Sequence, residues 1–82
     1  MATIDYTMQD AVRETLKNLV PAKQYTGRDL HKMILRNMRA HGNYANPYDS
    51  STLRTVRRYA TLYGVVCHKA GQKSKYVKDS LF

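Results

Sequence analysis

Twice in its first thirty residues the chain sets a threonine three positions ahead of an aspartate, Thr7 before Asp10 and Thr26 before Asp29. Each pair marks a helix start, because the hydroxyl caps the first turn and the acid suits the positive end of the helix dipole. Behind Thr7, the residues Met8, Ala11, Val12, Thr15, Leu16, Leu19 and Val20 recur every three or four positions. That spacing predicts a core-facing helix ended by Pro21. Behind Thr26, the residues Leu30, Met33, Ile34 and Met38 predict a second helix, with Leu35 beside the stripe and Gly42 as a left-handed stop. Residues 23–25 lie between Pro21 and the second cap, too few for a helix, and predict a small strand. Residues 41–50, with Gly42, Asn43, Asn46 and Pro47, read as a loop.

Asp49, Ser50 and Ser51 are successive candidate caps for a third helix, which runs to Tyr63 before Gly64 stops it. On it Leu53, Val56, Ala60 and Tyr63 gather on one side, while Ser51, Arg54, Thr55, Arg58 and Thr61 gather on the other. One side packs and one side reaches out. Beyond Gly64 the period changes, and two short strands flank a polar turn holding Gly71. The hairpin carries Lys69, Lys73, Lys75 and Lys78.

The 82 residues make one domain, expected over residues 1–82 with its core in about 6–78. A chain this short buries roughly 60% of its unfolded surface, enough to fold without a staple. Its single cysteine, Cys67, excludes an internal disulfide. No apolar run approaches ~18 residues and no charged, apolar leader opens the chain, so neither a membrane span nor a signal peptide is predicted. A soluble, cytoplasmic protein is expected, nucleoid-associated if the source is bacterial or phage.

Lys and Arg number 14 against 6 Asp and Glu, for a net charge of +8 and a pI near 9.9. Such a balance points to a polyanionic partner, nucleic acid ahead of an anionic membrane. The excess is uneven. Residues 1–34 carry five basic and four acidic side chains, net +1, whereas residues 35–82 carry nine and two, net +7. Residues 50–78 hold seven basic side chains and no acidic one, which places the polyanion-facing surface in the second half.

The order helix, short strand, helix, helix and hairpin resembles the winged helix-turn-helix family of DNA-binding domains. The most specific stretch is Ser50-Ser51-Thr52-Leu53-Arg54-Thr55-Val56-Arg57-Arg58-Tyr59-Ala60-Thr61-Leu62-Tyr63-Gly64-Val65-Val66, followed by Gly71-Gln72-Lys73-Ser74-Lys75-Tyr76. The resemblance runs from Tyr6 to Lys78 and implies a small α+β winged helix-turn-helix, three helices with a short three-stranded antiparallel sheet. It implies a third helix in the major groove of double-stranded DNA, with the hairpin wing along the backbone. Carried onto this sequence, Ser51, Arg54, Thr55 and Arg58 become base-reading candidates. Lys69, Lys73 and Lys75 become backbone candidates, joined by Thr52 and Arg57. Thr26 and Arg28, at the start of the second helix, would offer an amide and a cation to one phosphate.

The residue chemistry agrees with that division. Arginine donates two parallel hydrogen bonds to guanine O6 and N7, which lysine cannot reproduce, so helix arginines suit reading and hairpin lysines suit anchoring. Arg54 and Arg58 stand four apart with no acid beside them, a repulsion of a few tenths of a kcal/mol that some benefit must offset.

No catalytic or cofactor site emerges. Cys67 and His68 are neighbours on a strand and point to opposite faces, and His31 and His41 lack a matching ligand pair. Glu14 is the lone glutamate, away from the basic half, and no glycine-rich phosphate loop follows a strand. A non-enzyme without metal, cofactor or small-molecule substrate is expected. Of seven tyrosines, Tyr25, Tyr59, Tyr63 and Tyr76 suit packing, Tyr6 covers the first helix, and Tyr44 and Tyr48 remain free to stack on bases. The leading expectation is sequence-specific duplex DNA binding by a small transcriptional regulator or a phage or mobile-element protein. A protein-interaction module is the alternative from another class, and RNA binding is third. One module covers roughly 600 to 1,000 Å² of DNA interface, so a homodimer or a DNA-templated array is expected. Leu62, Leu81 and Phe82 are the candidates to join it.

Overall fold

Both threonine–aspartate pairs open helices, in a computed structural model that describes residues 5–70 and 73–79. Helix α1 spans Met8–Lys17. The Asp10 amide donates to Thr7 Oγ1 at 3.3 Å and the Thr7 amide donates to the Asp10 carboxylate at 3.0 Å. Helix α2 spans Gly27–Ala40 and repeats the exchange between Thr26 and Asp29, both bonds 3.1 Å. Each box satisfies two amides of a helix start.

Helix α1 stops short of the length its sequence predicts. A helix running on would need an amide at Pro21 to bond the Lys17 carbonyl four residues back, and proline has none. The Lys78 ammonium takes that carbonyl instead, at 2.6 Å. Leu19 stays buried, but Val20 turns outward to 56% exposure and leaves the core stripe predicted for it. The chain reverses at Ala22, whose φ of 68° is left-handed, and the Ala22 amide donates to the Lys78 carbonyl at 2.9 Å.

Strand β1 covers Gln24–Thr26, one residue later than predicted. It pairs antiparallel with β3, Lys73–Lys78, whose other edge pairs antiparallel with β2, Val65–Ala70, for a sheet order of β1-β3-β2. Tyr25 stands opposite Tyr76, and Tyr76 opposite Cys67, so one cross-strand row faces the helices.

Helix α3 covers Asp49–Ala60 and its last turn tightens into a 3-10 turn over Thr61–Tyr63, ended by Gly64 at φ 69°. Its start differs from expectation. The cap residue is Tyr48, which contributes no side-chain bond, while Asp49, Ser50 and Ser51 already lie inside the helix. At the head of α2, a Cβ on Gly27 would stand 2.9 Å from Leu53 Cδ1, so glycine lets α3 approach α2 there.

Ala11, Val12 and Leu16 of α1, Leu30, Ile34 and Met38 of α2, Val56 and Ala60 of α3, and Tyr25, Val65 and Tyr76 of the sheet form one core. Leu35, off the predicted stripe, is half-buried against it. Polar pins fix the helix pairs. Thr15, buried in α1, donates to the Ala11 carbonyl at 2.7 Å and accepts from Asn37 Nδ2 of α2 at 2.7 Å. Tyr6 donates to Glu14, stacks on His41 at 3.8 Å, and accepts at its carbonyl from Asn43 Nδ2 at 2.8 Å. The result is a small α+β layout of winged helix-turn-helix type: three helices backed by a three-stranded antiparallel sheet.

Candidate nucleic-acid interface

Helix α3 buries Thr52, Val56 and Ala60, and Leu53 and Tyr59 pack on the core from its flanks. Ser51, Arg54, Arg57 and Arg58 are thereby left exposed. Ser51, Arg54 and Arg58, at spacings of three and four, share one outward stripe. Thr55 lies on it half-buried, and its hydroxyl donates to the Ser51 carbonyl at 3.2 Å. Outward it offers a methyl group and an acceptor oxygen.

Arg58 leans along the helix, with Cζ 5.9 Å from the Tyr59 ring centroid, and Arg13 of α1 approaches the same ring to 5.9 Å. The Tyr59 hydroxyl donates to Gln9 Oε1 at 3.4 Å, which fixes that ring in the seam between α1 and α3. Arg57 is exposed beside them. Burial first and the Cys67 thiol second push the Tyr76 phenol above its usual range, and the Arg57 guanidinium opposes them. Arg13 forms an ion pair with Asp10, whereas Arg54, Arg57 and Arg58 form none among the described residues. Asp49, in the first turn, is the one acid on α3.

Three residues take other roles than those predicted. Thr52, a backbone candidate, is fully buried; its hydroxyl donates to the Tyr48 carbonyl at 3.1 Å and lies 3.7 Å from Met8 Sδ. It cannot reach a phosphate. Its place at 52, 56 and 60 on the inner side of α3 was the signal for burial. Thr26 has its amide engaged by Asp29 and its Oγ1 accepting from the Asp29 amide, so the amide predicted for a phosphate is already spent on the cap. Lys78, counted with the hairpin's cations, is only 7% exposed and serves the end of α1.

The start of α2 and the wing meet. Thr26 pairs across the sheet with Lys75, and Lys75 with His68, all three exposed in one row. Thr26, Gly27, Arg28 and Ser74 line one shallow groove beside it. Sequence reasoning missed His68 as the neighbour of Lys75, a pairing that follows from the β2–β3 register. Lys69 and Lys73 lie on β2 and β3 in the pairs Lys69 with Ser74 and Ala70 with Lys73. Their side chains, the turn at Gly71, and Leu81 and Phe82 lie outside the described residues.

Cys67 packs inward on the core and His68 faces out, and among the described residues no three His, Cys, Asp or Glu side chains gather as a metal site. Among the same residues no helix is long and apolar enough to cross a membrane. Tyr44 and Tyr48, in the α2–α3 loop, are 77% and 82% exposed. No protein-family model, curated protein or solved structure matches this chain.

Proposed function

We propose that the protein is a winged-helix binder of double-stranded DNA, with α3 laid in the major groove and the β2–β3 hairpin against the backbone. The observation that carries this reading is the outward stripe of α3: Ser51, Arg54 and Arg58 exposed in a row, with Arg57 beside them and no acid past Asp49. A helix has the width of the groove, and each arginine fork matched to a guanine discriminates by about 1–3 kcal/mol. Arg28, at the head of α2, and Lys75, paired across the sheet with Thr26, serve the backbone. On this reading the protein is a small transcriptional regulator or a phage or mobile-element DNA-binding protein that uses no cofactor and catalyses nothing. Leu62, 68% exposed, and Val66, 50% exposed, supply apolar surface for two copies to pair on adjacent sites.

Selection of bound sequences from a randomised duplex pool, followed by titration, tests it. The pool is expected to converge. Arg54→Ala and Arg58→Ala should each relax preference at one base pair and lose about 1–3 kcal/mol on the selected site. Lys75→Ala should weaken selected and random duplexes alike. A pool that does not converge, or equal losses on both DNAs for all three variants, overturns base reading. Affinity that ignores salt overturns duplex binding, because each phosphate contact adds about 0.9 to the log-log slope.

A further inference from the structure

The outer face of α2 carries a second row of cations. Arg28, Lys32, Arg36 and Arg39 stand at i, i+4, i+8 and i+11, and all four are exposed. At about 100° per residue they fall within an arc of roughly 80°, opposite the buried Leu30, Ile34 and Met38. The row is about 16 Å long at 1.5 Å per residue. Lys23 widens it, since Lys23, Lys32 and Arg36 border one shallow hollow, while Lys32, Arg36 and Arg39 border the next.

Like charges at these spacings destabilise a helix, and α2 interleaves no acid among them except Asp29 at its head. The Asp29 carboxylate is held first by the Thr26 amide and faces Lys32 and Lys23 at the head of the row only, which leaves Arg36 and Arg39 without an acid on α2. A row kept bare against that repulsion has a use other than helix stability. It is also not part of the α3 surface: α1, α2 and α3 pack pairwise about one core, so the outward faces of α2 and α3 point in different directions.

The chemistry of the row selects its occupant. A protein partner would ask for an apolar or aromatic centre ringed by polar groups, and Leu35 and Met33, which border the hollows of the row, are both half-buried against the core and leave no large exposed apolar centre there. A membrane surface would ask for an apolar face to insert, and the apolar face of α2 is buried. A duplex carries one charge per ~1.7 Å of its axis, so Lys32, Arg36 and Arg39 each find a phosphate, while Arg28, at the wing end of the row, stays with the first duplex. We propose that Lys32, Arg36 and Arg39 of the α2 row form a second phosphate track, which takes the backbone of a second DNA duplex while Arg28, α3 and the wing hold the first, so that one molecule bridges two duplexes. The first half of this statement stands on the α2 surface alone; the bridging rests on the DNA-binding reading of α3.

The test is a capture assay with the full chain. One short duplex is fixed to beads, protein is added, and a second, fluorescent duplex is offered. The variant combines Lys32→Gln, Arg36→Gln and Arg39→Gln; it leaves out Arg28, which borders the wing groove, and it relieves repulsion, so the helix persists by circular dichroism. The wild type is expected to capture the second duplex, and the triple variant to capture it at least about tenfold less, three phosphate contacts being lost. Its affinity for a single short duplex by anisotropy should stay within about threefold. Wild type that binds the fixed duplex but captures none overturns the inference and leaves the α3 reading intact. Capture that survives the triple variant overturns it as well, since copies then bridge through one another. The α3 reading fails separately, if the double variant Arg54→Ala, Arg58→Ala binds selected and random duplexes as the wild type does.

Discussion

Lys78 decides whether a hairpin lysine serves DNA or the fold. It is 7% exposed and its ammonium donates at 2.6 Å to the Lys17 carbonyl, the acceptor that Pro21 leaves without a helical partner. Lys78→Met keeps most of the stem and removes the ammonium. A hydrogen bond from a charged donor contributes about 1.5–3 kcal/mol, and a cation at a helix C-terminus a further 0.3–1 kcal/mol or so. Against this stands the desolvation of a mostly buried ammonium, which methionine does not incur. A net loss of about 1–2 kcal/mol is expected, which for a domain of this size lowers Tm by about 4–16 °C. Thermal unfolding followed by circular dichroism measures it. The salt dependence of duplex affinity, measured on the same variant, should keep its slope, whereas loss of a phosphate anchor would reduce the slope by about 0.9. An unchanged Tm together with a slope smaller by about one refutes the structural role.

Ile34→Ala, at a fully buried site in α2, should cost about 2–5 kcal/mol in urea titration, and a loss below about 1 kcal/mol would mean that α2 does not sit on this core. Thr52→Val should change stability by less than about 1 kcal/mol, because the Tyr48 carbonyl keeps the Thr52 amide as donor at 3.1 Å. Its duplex affinity should be unchanged; a uniform loss on all DNAs would put the hydroxyl on a phosphate after all. The Asp10 and Asp29 carboxyls are held below their ordinary value of 3.8, chiefly by the Thr7 and Thr26 backbone bonds. A depressed carboxyl stabilises fully above its unfolded value and loses that contribution as pH falls through its folded value, so helicity should decline below about pH 4. Asp29→Asn should flatten that decline in a circular dichroism titration, and an unchanged acid limb would show that the box does not hold α2.

What the sequence made legible was local. Caps and periodicity act within one turn, so α1 and α2 begin at the threonines that announce them, and α3 turns Arg54 and Arg58 outward as its spacing requires. Where several local answers were equally good, the fold chose by tertiary contact. Three polar residues offered to cap α3, and the helix began before all of them, because Thr52 had to reach the core and bond back to Tyr48. The partner of Lys17 was not legible at all, since Lys78 stands 61 residues away. The end of α1, the outward turn of Val20 and the burial of Lys78 are therefore one event, visible only once the hairpin is docked.

The row on α2 was present in the sequence as Arg28, Lys32, Arg36 and Arg39, yet counting charge along the chain hid it. A division at residue 34 splits the row, with Arg28 and Lys32 in a part that comes to +1 and Arg36 and Arg39 in a part that comes to +7, and adds acids and bases regardless of which face they occupy. In three dimensions the α1 acids are engaged nearby: Asp10 pairs with Arg13 and Glu14 accepts from Tyr6. Screening confines their remaining field to roughly 8 Å at physiological salt, so they do little for cations on the far side of another helix. On the proposed reading a duplex would meet two basic surfaces, the α3 arginines for base edges and the α2 cations for phosphates. The two are separable by measurement, since removing α2 charges should lower the salt slope of second-duplex capture without moving base preference, whereas removing Arg54 or Arg58 should move preference first. If both sets of variants change slope and preference together, the two surfaces act as one.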